Sequence, residues 1–368
     1  MKKRHKPIRV LIVDDSPFIR MSLTKILSAD PEIKVIDVAR DGKEGILKLQ
    51  ALKPDVVTMD IEMPVMDGLQ ALEEIMRWQP TPVIILSAVT TEGARQTMKA
   101  FEAGAVEVVA KPSGRNGDGL ATLARDLILK VKSVAESNLS LLGKREQVRF
   151  QFPTETKPDR PAWAGTIRST AQIPAKRIEV VAIGVSTGGP SALQTVLSKL
   201  PADFPVPVVV AQHMPVGFTA SLAARLDSLC ATRVKEVENG ELLQAGTVYI
   251  GQAGKQFQFK KSGGQLIADI GENSPITTFY KPSVDVMLMS LAQEVGAGVL
   301  GVIMTGMGND GLNGMKALKK SGGFSIAESE KTCVVYGMPR AVIEAGLVDR
   351  IEALSDISRA IIDCVKRR

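Results

Sequence analysis

Five short apolar runs, each followed by a helix-length amphipathic stretch, fill the first third of the chain and leave it few ways to fold. The runs are Ile8–Val13, Val35–Ala39, Val56–Met59, Val83–Leu86 and Val106–Ala110. Between them lie helical patterns at Pro17–Leu27, Gly42–Leu52, Gly68–Trp78 and Gly93–Ala103, with a closing one near Leu120–Val134. Strands this apolar alternating with helices build a parallel sheet covered on both faces. Residues 1–135 therefore read as an α/β unit with a five-stranded parallel sheet of the flavodoxin-like type. Ligand sites in that architecture lie beyond the carboxyl ends of the strands.

Residues 136–177 break the alternation. Pro153, Pro158, Pro161 and Pro174, mixed with Ser, Thr, Lys and Arg, mark an exposed linker. A second α/β segment, read as doubly wound, occupies 178–368. It opens with strand Val180–Gly184, helix Pro190–Leu200, strand Val206–Gln212 and helix Phe218–Cys230. A glycine-rich, strand-rich middle follows over Gly246–Ile270. Then come helix Ser283–Val295, strand Val299–Met304, helix Gly311–Lys320 and a last helix near Asp356–Val365. A chain of 368 residues accommodates two or three such units.

Composition narrows the function classes. No apolar run reaches the length of a membrane span, which argues against membrane insertion. The basic start Met1–Lys6 is followed by a short apolar run that ends in Asp14-Asp15, so it is not a secretion signal, and a cytoplasmic chain is expected. Cys230, Cys333 and Cys364 form neither a disulfide framework nor a CxxC metal site and read as small buried hydrophobes. The net charge of +6 is dispersed, aromatics are 4%, and no helix-turn-helix or RNA-binding signature stands out. Nucleic acid is thus not the expected partner; an acidic protein surface suits the charge equally.

The first unit places distinctive groups at four strand ends. Asp14-Asp15 follow the first strand, Asp60 and then Glu62 and Asp67 the third, Ser87 the fourth, and Lys111-Pro112 the fifth. Carboxylates gathered at one edge repel one another, and a divalent cation such as Mg²⁺ relieves them. A carboxylate beside that cation can attack a phosphoryl group. Lys111 and Ser87 could then hold phosphoryl oxygens. The alternative is a solvated cluster of loop acids, which gains nothing in exchange for its repulsion.

The second unit opens with Gly184-Val185-Ser186-Thr187-Gly188, a G-x-S-x-G pattern between an apolar strand and a helix. A nucleophile elbow needs that context. The helix start behind Ser186 offers free N–H groups for an oxyanion. A glycine-rich turn that cradles a nucleotide phosphate remains open from the motif alone. A dinucleotide is disfavoured, because the second strand ends in no clear ribose-binding acid. A serine needs a base, and the chain has two histidines. His5 lies in the basic tail; His213 follows the strand after the nucleophile's helix and is the candidate. Asp310, in Thr305-Gly306-Met307-Gly308-Asn309-Asp310-Gly311, is the candidate to orient it, with helix N-capping as a role it could share. The Met307 N–H could point to the oxyanion.

The first constellation resembles the receiver domain of two-component response regulators over residues 7–134. That resemblance implies phosphorylation at Asp60, Mg²⁺ held by Asp14, Asp15, Asp60 and the backbone carbonyl of Glu62, and a response by Ser87 and Lys111. The aromatic residue that receivers often carry just before Lys-Pro is here Val108, so an aromatic-swing readout is not expected. The second set of motifs resembles the chemotaxis protein-glutamate methylesterases, and with the receiver the resemblance spans about residues 7–366. It implies hydrolysis of glutamate γ-methyl esters on methyl-accepting chemoreceptors, deamidation of receptor glutamines, a histidine kinase as phosphodonor and no cofactor for the ester chemistry. It also implies the triad Ser186, His213 and Asp310, with Thr187 and Met307 flanking the oxyanion. The competing expectation is a receiver that controls a non-enzymatic nucleotide- or protein-binding module; a DNA-binding output is disfavoured by the α/β character of the second unit.

Overall fold

The computed structural model of the chain describes residues 6–111, 117–137, 174 and 176–366. The linker expected over 136–177 lies almost wholly outside the described residues.

In the N-terminal unit the strands are β1 (Ile8–Val13), β2 (Ile33–Ala39), β3 (Val56–Asp60), β4 (Val83–Ser87) and β5 (Glu107–Ala110). They pair in parallel in the order β2-β1-β3-β4-β5. The helices are α1 (Pro17–Ser28), α2 (Gly42–Leu52), α3 (Gly68–Trp78), α4 (Thr91–Ala103) and α5 (Gly117–Ala135). Local sequence starts these helices where they start. The side chains of Ser16, Asp41, Asp67 and Thr90 accept N–H groups of the first turns of α1 to α4. Asp67 forms a capping box with Gln70, so it serves α3. Gly68 is required there, because a Cβ would lie 2.0 Å from the Asp60 carbonyl. That close approach sets Asp60 at the sheet edge.

The C-terminal unit contains β6 (Val180–Val185), α6 (Gly189–Leu197), β7 (Val208–Gln212), α7 (Thr219–Asp227), β8 (Arg233–Glu236), β9 (Thr247–Ile250), β10 (Gln256–Ser262) and β11 (Gln265–Gly271). Then follow α8 (Val284–Glu294), β12 (Val299–Ile303), α9 (Leu312–Lys320), β13 (Phe324–Glu328), α10 (Met338–Glu344), β14 (Arg350–Glu352) and α11 (Leu354–Val365). Seven of the strands form one parallel sheet, β14-β13-β12-β6-β7-β9-β8. β10 and β11 form a separate antiparallel hairpin. β6 pairs with β7 on one side and β12 on the other, so the strand order reverses there. A crevice opens at such a switch point. The Ser186, His213 and Asp310 loops leave those three adjacent strands.

Strands β8, β13 and β14 and helix α10 are not evident from sequence periodicity. β14 is three residues with two charges, and β13 reads Phe-Ser-Ile-Ala-Glu, yet every residue of β13 is buried. Polar residues in a fully buried strand erase the apolar run that announces one.

The two units touch. Gly188 N–H donates to the Val106 carbonyl (3.2 Å), and Ser191 Oγ–H to the Phe101 carbonyl (3.5 Å). Arg225 on α7 pairs with Glu102 on α4. The α4–β5 side of the first unit thus rests on the start of α6 and on α7.

Candidate functional sites

At the edge of the first sheet, Lys111 Nζ lies 2.7 Å from Asp60 Oδ2 and 3.0 Å from Asp14 Oδ2. Carboxylate oxygens of Asp14, Asp15 and Asp60 all fall within 4.8 Å of one another. Asp15 and Asp60 border a cleft of about 260 Å³ that Glu62, Ser87 and Lys111 also line. Burial raises the Asp60 carboxyl above the usual carboxylate range despite the pull of Lys111, and the Asp14 charge adds to the rise. Burial works against the Lys111 ammonium, but Asp60 and Asp14 outweigh it and hold that group above its ordinary value. One ammonium facing three carboxylates leaves room for a cation. Ser87 Oγ–H donates to the Gly93 carbonyl (3.1 Å) at the rim of the same cleft.

In the second unit, Ser186 is the first residue after β6 and is only 9% exposed. Its N–H donates to the Thr305 carbonyl (3.0 Å), and its own carbonyl accepts Gly189 N–H (2.8 Å) and Gln212 Nε2–H (3.0 Å). Gly188, at φ +77°, makes the sharp turn into α6. His213 is the first residue after β7, and its N–H donates to the Val185 carbonyl (3.2 Å). The His213 Nε2 lies 2.8 Å from Asp310 Oδ2. An N–H there, donated to the carboxylate, leaves Nδ1 as the basic nitrogen. Nδ1 is buried and has no hydrogen-bond partner among the described residues. The Tyr280 ring stacks on the imidazole, with centroids 4.1 Å apart and planes 5° from parallel.

Asp310 does not cap the helix that follows it. α9 has Gly311 at its N-cap, with no side-chain cap. Asp310 instead serves the start of α8, accepting Val284 N–H (2.7 Å), Asp285 N–H (3.0 Å) and Ser283 Oγ–H (2.9 Å). Asp285 returns the favour, accepting Gly311 N–H (2.9 Å) and Gly314 N–H (2.7 Å) at the start of α9. Two helices thereby hold each other's first turns through exchanged carboxylates. Burial pushes the Asp310 carboxyl up, but His213 and the helix N–H groups outweigh it and hold it below the usual range.

Thr187 carries two contacts. Its Oγ1–H donates to Glu107 Oε2 of the first unit (2.7 Å), and its carbonyl accepts Thr305 Oγ1–H (2.9 Å). Met307 is half-buried and follows Gly306, whose Cβ, if present, would lie 2.8 Å from Ser186 Cβ. Thr187 and Met307 therefore sit on loops that close around the serine. An ordered imidazole–carboxylate pair at the strand end beside a serine can take a proton and return it, the minimum for acyl transfer.

A family model for the response regulator receiver domain matches residues 10–118, and one for CheB methylesterase matches residues 181–361. A protein-glutamate methylesterase/protein-glutamine glutaminase of Desulfitobacterium hafniense is 58% identical over 392 residues, covering 100% of both chains. The chain belongs to the CheB family. A Geobacillus kaustophilus CheB-family protein of the same name is 47% identical over 98% of this chain and 99% of its own. The crystal structure of a Thermotoga maritima CheB methylesterase catalytic domain is 41% identical, over 51% of this chain and 98% of that one, with a TM-score of 0.49. Membership of the CheB family sets aside a non-enzymatic module behind the receiver. Among the described residues no helix is long and apolar enough to cross a membrane.

Sequence reading misses Glu107, Gln212, Tyr280, Ser283 and Glu328, all of which touch the site or its supports. Each lacks a motif of its own. Gln212 was legible as a neighbour of His213, but not its amide contact with Ser186.

Proposed function

We propose that this chain hydrolyses glutamate γ-methyl esters on methyl-accepting chemoreceptors, with Ser186 as nucleophile, His213 as base and Asp310 as its orienting carboxylate. The observation that carries this is the 2.8 Å His213–Asp310 bond at the strand ends flanking Ser186. His213 Nδ1 takes the Ser186 hydroxyl proton as Oγ attacks the ester carbonyl. Thr187 and Met307 flank the resulting oxyanion, and the start of α6 adds its positive end. The imidazolium returns the proton to the leaving methoxide, and methanol departs. Water, deprotonated by the same imidazole, then releases the glutamate and restores Ser186. Asp310 stays ionised throughout. Side chains alone carry these proton transfers, so the hydrolysis calls for no cofactor. The same acyl-enzyme, reached with loss of ammonia, gives glutamine deamidation, the second activity in the relatives' names.

Control comes from the receiver. Asp60 accepts a phosphoryl group from a histidine kinase, and Asp14, Asp15, Asp60 and the Glu62 carbonyl would hold Mg²⁺. The crowding of three carboxylates against Lys111 fits such a cation. When bound, Mg²⁺ offsets charge on the carboxylates and the incoming phosphoryl oxygens. Lys111 and Ser87 then engage the phosphoryl group. Acting on receptor signalling helices with a kinase as donor makes this a cytoplasmic enzyme.

The unphosphorylated receiver restrains the esterase by sitting on its nucleophile loop. The support is that Glu107 takes the hydroxyl of Thr187, next to Ser186, while Val106 takes the N–H of Gly188. Acetyl phosphate raises methanol release from methylated receptor membranes in the wild type and leaves Asp60→Asn unchanged. An equal response in both proteins removes Asp60 from the scheme. A hydrogen bond to a charged group is worth about 1.5–3 kcal/mol, so Glu107→Ala raises the unphosphorylated rate roughly tenfold. A basal rate equal to wild type in that variant rules out restraint through this contact.

A further inference from the structure

Glu328 is the last residue of β13, beside the end of β12, and is wholly buried. Its Oε2 accepts the Thr305 N–H at 2.8 Å. Its Oε1 is buried without a hydrogen-bond partner. Thr332 and Cys333 stand close enough to draw on its charge, yet make no hydrogen bond to that oxygen. Cys333 is the titratable side chain facing it, and no cation pairs with it among the described residues. A buried carboxyl with one oxygen unmet costs stability, and the proposed proton transfers do not use it.

Its bond to the Thr305 N–H leads straight to Ser186, the proposed nucleophile. The Thr305 carbonyl accepts Ser186 N–H (3.0 Å). Thr305 Oγ1–H donates to the Thr187 carbonyl (2.9 Å) and accepts Val335 N–H (3.0 Å). Val335 in turn accepts Gly306 N–H (3.0 Å), on the loop that carries Met307. Thr305 is therefore the junction of the two loops around Ser186, and Glu328 is the group that holds its N–H.

We propose that Glu328 is a positioning residue for ester hydrolysis: by fixing Thr305 it fixes the backbone of Ser186 and Thr187 against the Met307 loop. This rests on Ser186 being the nucleophile. Burial supports the assignment from a second side, since it pushes the Glu328 carboxyl up to about 7. The sign follows from linkage. The folded protein holds this proton more tightly than the unfolded chain, whose glutamate titrates near the ordinary value of 4.5. Stability from this residue is therefore whole below about 4.5, falls as the pH rises towards about 7, and stays low above it.

The test uses the full chain and three variants. Glu328→Gln keeps an acceptor for Thr305, and Glu328→Met fills the same space without one. Glu328→Met lowers kcat by about 10- to 100-fold, the cost of an unmet buried N–H, with KM unchanged; Glu328→Gln stays within about threefold of wild type, the margin expected of a surviving hydrogen bond. The Tm of Glu328→Gln relative to wild type rises from pH 5 to pH 8. Wild-type kcat in a folded Glu328→Met overturns the proposal. So does a Tm difference between Glu328→Gln and wild type that is flat with pH, a result readable even if Glu328→Met does not fold. Ser186→Ala is the third variant: if it keeps its activity, the nucleophile assignment fails, and if it is inactive while Glu328→Met is normal, only the role of Glu328 fails.

Discussion

Ser186→Ala lowers methanol release from methylated receptor membranes by about 10⁴-fold or more, and His213→Ala falls to the same residual level. The double variant is no slower than either single one, because nucleophile and base act as one unit. The elbow itself should survive. Its bonds to Thr305, Gly189 and Gln212 run through the Ser186 N–H and carbonyl, which alanine keeps. Melting temperatures near wild type would thus accompany the loss of rate. Near-normal rates in either variant would remove the triad. A serine-directed phosphonate gives an independent reading: it labels the wild type at one site and leaves Ser186→Ala unlabelled.

Asp310→Asn costs a comparable factor, about 10⁴ in rate, and here stability falls too. Asp310 stands between the His213 imidazole and the first turn of α8, and every group it meets there is a donor. An amide must turn its NH₂ towards one of them. If it takes the place of Oδ2 it faces His213 and the Val284 N–H, and the imidazole takes the wrong tautomer; if it takes the place of Oδ1, the Ser283 hydroxyl and the Asp285 N–H lose their acceptor. Asp310→Ala leaves Ser283, Val284 and Asp285 without that partner, at about 1–3 kcal/mol for each buried group left unmet and less than the sum together. Calorimetry of the two variants separates the roles: both lose the rate, and alanine loses more stability. The pH dependence has a definite sign. The Asp310 carboxyl is held below its ordinary value, so its contribution is present above that value and disappears only as the pH falls through the lower folded one. Acid unfolding of the wild type therefore includes an Asp310 component that Asp310→Ala lacks. Identical acid transitions in the two proteins would sink this.

Legibility differed between the units for physical reasons. In the receiver the strands are mostly apolar and α1 to α4 carry Ser, Asp or Thr at their N-caps, so pattern and local chemistry agree. Strand ends in a parallel sheet converge, and Asp14, Asp15, Asp60, Ser87 and Lys111 could be gathered from their positions alone. In the second unit, β6, β7 and β12 announce themselves as β-branched runs, and the loops after them carry Ser186, His213 and Asp310. The polar buried strand β13 and the short edge strand β14 do not. With β13 unseen, Glu328 looks like an ordinary acidic residue before a loop.

What the sequence determined by itself was the set of candidate reacting groups: a serine in a glycine turn, one histidine within a fold and one carboxylate at a third strand end. Periodicity and strand-end chemistry suffice, because both depend on residues near one another in the chain. The tertiary structure decided what supports them. Asp310 caps α8 rather than α9, Tyr280 covers the imidazole, Glu107 reaches Thr187 from 80 residues away, and Glu328 holds Thr305. These contacts join segments far apart in the chain through single side chains, and no local pattern encodes such a meeting; it exists only once the sheet has placed β12, β6 and β13 side by side.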